Sequence, residues 1–175
     1  MSARSKKCKV CKAEFKPFYS TTQSVCSIKC SAKLAKEKEG KKAFKEMKEN
    51  SRTKKDYLKI LTTVFNSYIR KRDEKLPCIS CGAVNAEEFH AGHFMPSTYS
   101  YLRFNELNVN KQCSKCNTHL RGNLLEYRKG LIKKIGVEFV EHLEEIKNNK
   151  TNLDVLQLKE LIITYRKKYK ELCQK

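Results

Sequence analysis

The sequence predicts a small α+β fold braced by metal rather than by a large core. Three observations point there. Eight of the nine cysteines fall into four close pairs. Apolar residues at helical spacing bracket the second half of the chain. Between those helical segments lies a run of short strand-like pieces and turns that holds three of the four histidines. Only 39 % of the 175 residues are hydrophobic and tryptophan is absent, which suits one modest core.

Residues 1–30 read as a zinc finger. Cys8-x2-Cys11 and Cys26-x3-Cys30 are two knuckles that each offer two thiolates, and two knuckles complete a tetrahedral Zn²⁺ site. A β-compatible stretch runs from Phe15 to Tyr19, and a helix follows the second knuckle. So short a segment buries too little on its own, so metal is expected to supply most of its folding energy. Residues 31–55 are rich in Lys, Glu and Ala. They read as a solvated basic helix interrupted near Gly40, or as a partly disordered linker.

From residue 56 to about 150 the pattern is that of a folded domain. Leu58, Leu61, Val64, Phe65, Tyr68 and Ile69 predict a helix over roughly Asp56 to Glu74 with one buried face. Cys78-x2-Cys81 and Cys113-x2-Cys116 then form a second pair of knuckles around a long loop. Two short helices separated at Gly136 follow. Residues 151–175 are expected to be a C-terminal helix from about Leu153 to Cys173, with Thr151 and Asp154 as its capping box. His142 and Cys173 are read as helix-surface residues.

The formal charge of +19 is uneven: residues 1–75 hold 22 Lys and Arg against 8 Asp and Glu, whereas residues 76–175 hold 16 against 11. Two thiolate-bound zinc ions would bring the working charge to about +15. Such an excess attracts polyanions, and nucleic acid is the commonest. No apolar run is long enough to cross a bilayer, no strongly hydrophobic amphipathic face accompanies the basic run, and no signal-peptide pattern opens the chain. The expected partner is DNA rather than membrane, and the expected location is cytoplasmic. The reducing cytosol also argues against a disulfide framework.

The loop between Cys81 and Cys113 is long for a purely structural zinc ribbon. It holds His90 and His93, then Asn108. Asn117, His119 and Asn123 follow Cys116. Phosphodiester hydrolysis needs a base for the attacking water, a metal ion to neutralise developing charge, and a partner that fixes the base's tautomer. A histidine on a strand, an asparagine in the intervening loop and further ligands on a following helix meet those needs.

Residues 78–123 resemble an HNH endonuclease, which implies a ββα-metal core with flanking helices beside the N-terminal finger. The resemblance places the general base at His93 in "AGHFMP", the orienting asparagine at Asn108, and the last metal-binding position at Asn117. An asparagine oxygen there suits Mg²⁺ or Mn²⁺. The residue before the base, commonly a metal ligand in the family, is Gly92, and His90 is the candidate replacement. His119 and Asn123, four residues apart, are read as sharing one helix face and completing the metal shell.

Taken more widely, "YIRKRDEKLPC", "LPCISCG", "AGHF", "LRFNELNVNKQCSKCN" and "GNLLEYRKGLIKKIG" resemble the NinG/Rap recombination proteins of lambdoid phages. That resemblance implies metal-dependent nicking of Holliday junctions and D-loops, in host cytoplasm. Arg103, Lys111, Lys115 and Arg121 are candidate phosphate contacts. Tyr99, Tyr101 and Phe104 are candidate stacking residues, with core packing as their alternative. The competing function is a non-catalytic, zinc-stapled junction-binding protein. A homodimer formed through the C-terminal helix would suit a four-way junction.

Overall fold

The computed structural model describes residues 4–174, which divide into two compact units, one ending at Arg52 and one beginning at Thr53. Among the described residues no helix is long and apolar enough to cross a membrane.

In the first unit, β1 (Lys6–Lys7) pairs antiparallel with β2 (Glu14–Phe15), so the β-compatible stretch contributes only its first residue to a strand. Between them the first knuckle turns tightly: Lys12 N–H donates to the Cys8 carbonyl at 3.0 Å, with Lys12 in the left-handed region at φ 64°. Helix α1 (Ile28–Asn50) starts at Ser27, whose side chain accepts from Cys30 N–H, and it buries none of its residues. It continues through Gly40, correcting the expected interruption. One glycine costs about 1 kcal/mol in a helix, and the surrounding Ala, Lys and Glu residues outweigh it.

The second unit is built on α2 (Lys54–Arg72). Thr53 and Asp56 cap it reciprocally, and Tyr57, Leu61, Phe65, Tyr68 and Ile69 form its buried stripe. That stripe packs on Leu158, Ile162 and Tyr165 of α5 (Val155–Cys173) and on Val109. The Phe65 ring meets Tyr165 edge-on at 4.8 Å. Helix α5 is capped by Asp154 and Gln157. The expected Thr151–Asp154 box does not form, because Thr151 N–H instead donates to the Ser100 hydroxyl.

Strands β3 (Phe89–His93) and β4 (Val109–Cys113) pair antiparallel, with His93 opposite Val109 and His90 opposite Gln112. A single π-helical turn, Lys115–His119, follows β4, then α3 (Leu124–Ile135) and α4 (Val137–Glu145), which divide at Gly136 as expected. Tyr127, Leu131, Val140 and Leu143 from these two helices close over Phe94 and Leu102 as a second core. His142 and Cys173 are exposed.

A buried charge cluster ties the pieces together. Asp73, only 2 % exposed, receives Arg72 through two contacts of 2.9 and 2.7 Å, Lys134 Nζ at 3.0 Å and the Lys111 backbone N–H at 3.1 Å. Arg72 also donates to the carbonyls of Glu106 and Val109. The end of α2 is thereby fastened to β4, to α3 and to the loop between the strands.

Candidate functional site

The second cysteine cluster braces the region where the histidines lie. Cys78 and Cys81 sit on a knuckle whose Gly82, at φ 73°, donates to the Cys78 carbonyl. Cys113 ends β4, and Cys116 lies in the π-helical turn. In each of the two clusters (Cys8, Cys11, Cys26, Cys30 and Cys78, Cys81, Cys113, Cys116) the four sulphurs lie within 4.8 Å of one another. Cys81 and Cys113 sulphurs are 3.7 Å apart, Cys26 and Cys30 3.7 Å, and Cys11 and Cys26 3.5 Å. A tetrahedron with Zn–S bonds of 2.3 Å has edges of about 3.8 Å. Both clusters could therefore hold zinc.

The thiol electrostatics agree. Burial pushes Cys78 up, but the N–H groups of Cys81, Cys113 and Ser80 outweigh it and bring the thiol down to about 7. Burial beside Cys81 and Cys113 pushes Cys116 up to about 12. In the finger, burial likewise raises Cys8, while the N–H groups of Cys11, Val10 and Cys26 prevail and bring it to about 6. Cys26, against the Cys11 and Cys30 sulphurs, is held at about 12. Four thiols in contact do not all ionise unless a cation takes up the charge.

His93 ends β3. Its Nε2 lies 3.0 Å from the Arg103 carbonyl oxygen, which has no proton to give, so Nε2–H donates and Nδ1 carries the lone pair. Burial lowers its pKa more than the Arg103 carbonyl raises it, so the ring is neutral at physiological pH.

Asn108 builds the wall behind that ring. It is fully buried; its Nδ2 donates to the carbonyls of Met95 and Leu102 at 2.9 and 3.0 Å, and its Oδ1 accepts from Met95 N–H at 2.7 Å. The loop carrying Arg103 is thus stapled to the exit of β3. The Asn108 carbonyl also accepts from the N–H of Phe94, the residue after His93, at 2.9 Å, so Asn108 is a positioning residue.

His90 faces a different group. Its Nε2 is 3.2 Å from Glu88 Oε2, and its Nδ1 is 3.2 Å from the Asn117 amide nitrogen. With Nε2–H given to the carboxylate, Nδ1 carries the lone pair and accepts the Asn117 amide N–H. A carboxylate behind an imidazole is a common support for a metal-binding histidine. His90, Asn117 and Glu88 line a hollow of about 520 Å³, and His93 is not among its lining residues.

His119 and Asn123 do not join them. Both line another hollow, beside the second cysteine cluster, and Asn123 Nδ2 donates to Cys116 Sγ at 3.5 Å. The shared helix face expected for them is absent, because the π-helical turn ends at His119 and Asn123 sits outside it at φ 43°.

Of the candidate phosphate contacts, Lys115 and Arg121 are exposed. Arg103 is half-buried over the Phe104 ring, with its Nε unpartnered. Lys111 needs correcting. It is buried, its ammonium donates to the Glu74 carbonyl at 2.9 Å and lies 4.4 Å from the Phe89 ring centre, so it fastens β4 to the end of α2 and is not free for phosphate. Phe104 packs in the first core and Tyr99 against the second, while Tyr101 is exposed.

Sequence reasoning missed that α2 contributes Asn66 and Arg70 to the His90 hollow. The available signal was two polar residues four apart beside the buried stripe, a spacing that puts both on one helix face.

The family model described as Bacteriophage Lambda NinG protein matches residues 2–175. Protein ninG of Escherichia phage 933W is 35 % identical over 189 residues, covering 95 % of this chain and 93 % of the relative. The ninG protein of Escherichia phage lambda is 35 % identical over 184 residues, covering 93 % and 89 %. That of Salmonella phage P22 is 34 % identical over 184 residues, covering 93 % and 90 %. No solved structure matches.

Proposed function

The chain belongs to the NinG family of bacteriophage lambda, and from that premise we propose that it is a metal-dependent endodeoxyribonuclease that nicks branched recombination intermediates such as Holliday junctions and D-loops. In this reading β3, β4 and the helical turn after them act as an HNH-type ββα-metal unit. The observation that carries it is the His93 ring, held by the Arg103 carbonyl with Nδ1 as its basic nitrogen, on a loop stapled by Asn108.

His93 Nδ1 takes the proton of the attacking water, and the Arg103 carbonyl keeps the ring in the tautomer that can do so. With the hydrogen bond between them opened, His90 Nδ1 and the Asn117 amide oxygen would hold Mg²⁺ or Mn²⁺, which when bound neutralises charge on the phosphate and the leaving oxygen. Lys115 and Arg121 hold neighbouring phosphates. The finger of residues 1–30 and the basic α1 supply further contact to DNA, and a two-fold homodimer would match the arms of a four-way junction.

One observation favours the second reading, a non-catalytic zinc-stapled junction binder: His93 does not line the hollow shared by His90 and Asn117. The two are separated by incubating linear, nicked and four-way-junction DNA with the parent and with His93→Ala, with and without divalent ion. The nuclease reading expects divalent-dependent nicking of the junction. It also expects His93→Ala to lose about 10²–10⁴-fold in rate while keeping DNA affinity and zinc content. Equal cutting by both proteins, or none by the parent, rejects it.

A further inference from the structure

Helix α2 is outside the ββα unit, yet it forms one side of the hollow beside His90 and Asn117. Asn66 and Arg70 stand one helical turn apart on it, and both line that hollow with Glu88. Their bonding is incomplete in a way that points to a ligand. Asn66 Oδ1 is buried and accepts no hydrogen bond. Buried polar atoms without partners are few in folded proteins, and one at a candidate ion site calls for a reason. An amide oxygen is also the hard, neutral donor that Mg²⁺ and Mn²⁺ take.

Arg70 is exposed at the same hollow. Its guanidinium donates to the Ser67 hydroxyl at 3.2 Å and, among the described residues, makes no ion pair. Its neighbour Arg72 is spent on Asp73 and on two carbonyls, and Arg128 on Glu144. A guanidinium with no carboxylate partner beside His90 and Asn117 is suited to the bidentate grip of a phosphate.

We infer that α2 supplies a third wall of the site, with Asn66 giving its amide oxygen to a divalent ion held with His90 and Asn117, and Arg70 gripping a phosphate oxygen of the DNA laid over that ion. This rests on the nuclease reading above, which takes His90 and Asn117 as the ion's ligands. The packing of α2 on β3 then has two roles, since the helix that builds the core also completes the pocket.

The test uses the full zinc-loaded chain and Mn²⁺ as the probe, with free Mn²⁺ read by its paramagnetic resonance signal. Asn66→Ala should weaken Mn²⁺ binding about tenfold or more, as His90→Ala does, while Asn66→Asp restores it. Melting without Mn²⁺ should be unchanged or raised in Asn66→Ala, because the orphaned acceptor is removed. Arg70→Gln should leave Mn²⁺ affinity alone, weaken four-way-junction binding, and lower the slope of log affinity against log salt by about one. If His90→Ala loses Mn²⁺ but Asn66→Ala binds it like the parent, the Asn66 assignment is wrong and the site reading stands. Unchanged junction affinity and slope in Arg70→Gln overturns the phosphate grip. If the parent binds no Mn²⁺, or His90→Ala binds it equally well, the site reading fails and the third wall goes with it.

Discussion

The side-chain oxygen of Gln112 lies only 2.2 Å from where a β-carbon on Gly92 would stand, and Gln112 Cβ only 2.9 Å from it. Gln112 is fully buried and pinned, its Nε2 donating to the Ser80 hydroxyl at 2.7 Å and to the Gly122 carbonyl at 2.6 Å. The position before His93 is therefore glycine because a neighbour on β4 fills the space. An acidic ligand cannot be placed there without remaking that packing. His90, two residues earlier on the same face of β3, is where a ligand can stand.

Gly92→Ala is accordingly expected to destabilise the second unit by about 1–3 kcal/mol through overpacking. Chemical denaturation measures it directly. The double variant with Gln112→Ala should recover part of the loss, since residues in contact are not additive. A Gly92→Ala protein that unfolds at the parent's denaturant concentration would show that Gln112 yields freely.

In the proposed nuclease, the half-buried ring of His93 sets the pH dependence of cleavage. Burial lowers its pKa below the ordinary imidazole value of about 6.5, so the neutral, basic form persists to lower pH than for an exposed histidine. The acid limb of the rate profile should lie below that value. Stability moves in the same direction: this contribution is complete above the unfolded pKa and is lost as pH falls through the lower folded one. Arg103 bonds the ring through its backbone carbonyl, and its guanidinium charge also disfavours the imidazolium, so Arg103→Ala should keep the bond and move the acid limb upward. Asn108→Ala, which unpins the loop, should shift the acid limb upward toward the ordinary value. A profile identical in Asn108→Ala and the parent would show that the loop keeps its shape without the staple.

Much of this was legible in the chain because the signals were local. Cysteine spacing gave both clusters, and the stripe from Leu61 to Ile69 gave α2 to within two residues at each end. Other features depended on partners distant in sequence. Lys111 reads as a surface cation until the Glu74 carbonyl and the Phe89 ring are placed around it. The break expected at Gly40 failed because one residue's propensity is weak against a long favourable run. His119 and Asn123 were separated by backbone geometry at Arg121, Gly122 and Asn123, all at positive φ, which periodicity does not reveal. The spacing of Asn66 and Arg70 was visible but not decisive, because a polar pair beside a core stripe normally just faces water.

Metal removal should act unequally on the two units. The first unit has a helix that buries nothing and strands of two residues, so zinc is expected to supply its folding energy, roughly 10–16 kcal/mol in zinc-finger peptides. The second unit also has two apolar cores. Chelation should thus abolish amide protection around Cys8–Cys30 while leaving α2 and α5 protected. Elemental analysis should find two zinc ions per chain, and one after Cys81→Ser. Equal loss of protection in both units would mean that the second core cannot stand without its metal.

Asp73 offers the sharpest stability test, because its carboxylate is shared by Arg72, Lys134 and the Lys111 backbone N–H. Burial alone would raise its pKa, but Arg72 and then Lys134 outweigh burial and hold it below the usual carboxylate range. Its contribution is therefore fully present above the unfolded value of about 3.9 and is lost as pH falls through the lower folded one. Asp73→Asn keeps the shape and removes the charge, leaving two cations facing each other in a largely buried place; removing one partner of such a group costs about 3–5 kcal/mol. Arg72 also holds the Glu106 and Val109 carbonyls at the foot of the loop that carries Arg103. The variant should therefore lose cleavage activity together with stability, although Asp73 is remote from the proposed chemistry. It should also unfold with a shallower acid dependence than the parent, since the titrating group is gone. Parallel acid limbs in the two proteins would place that titration elsewhere.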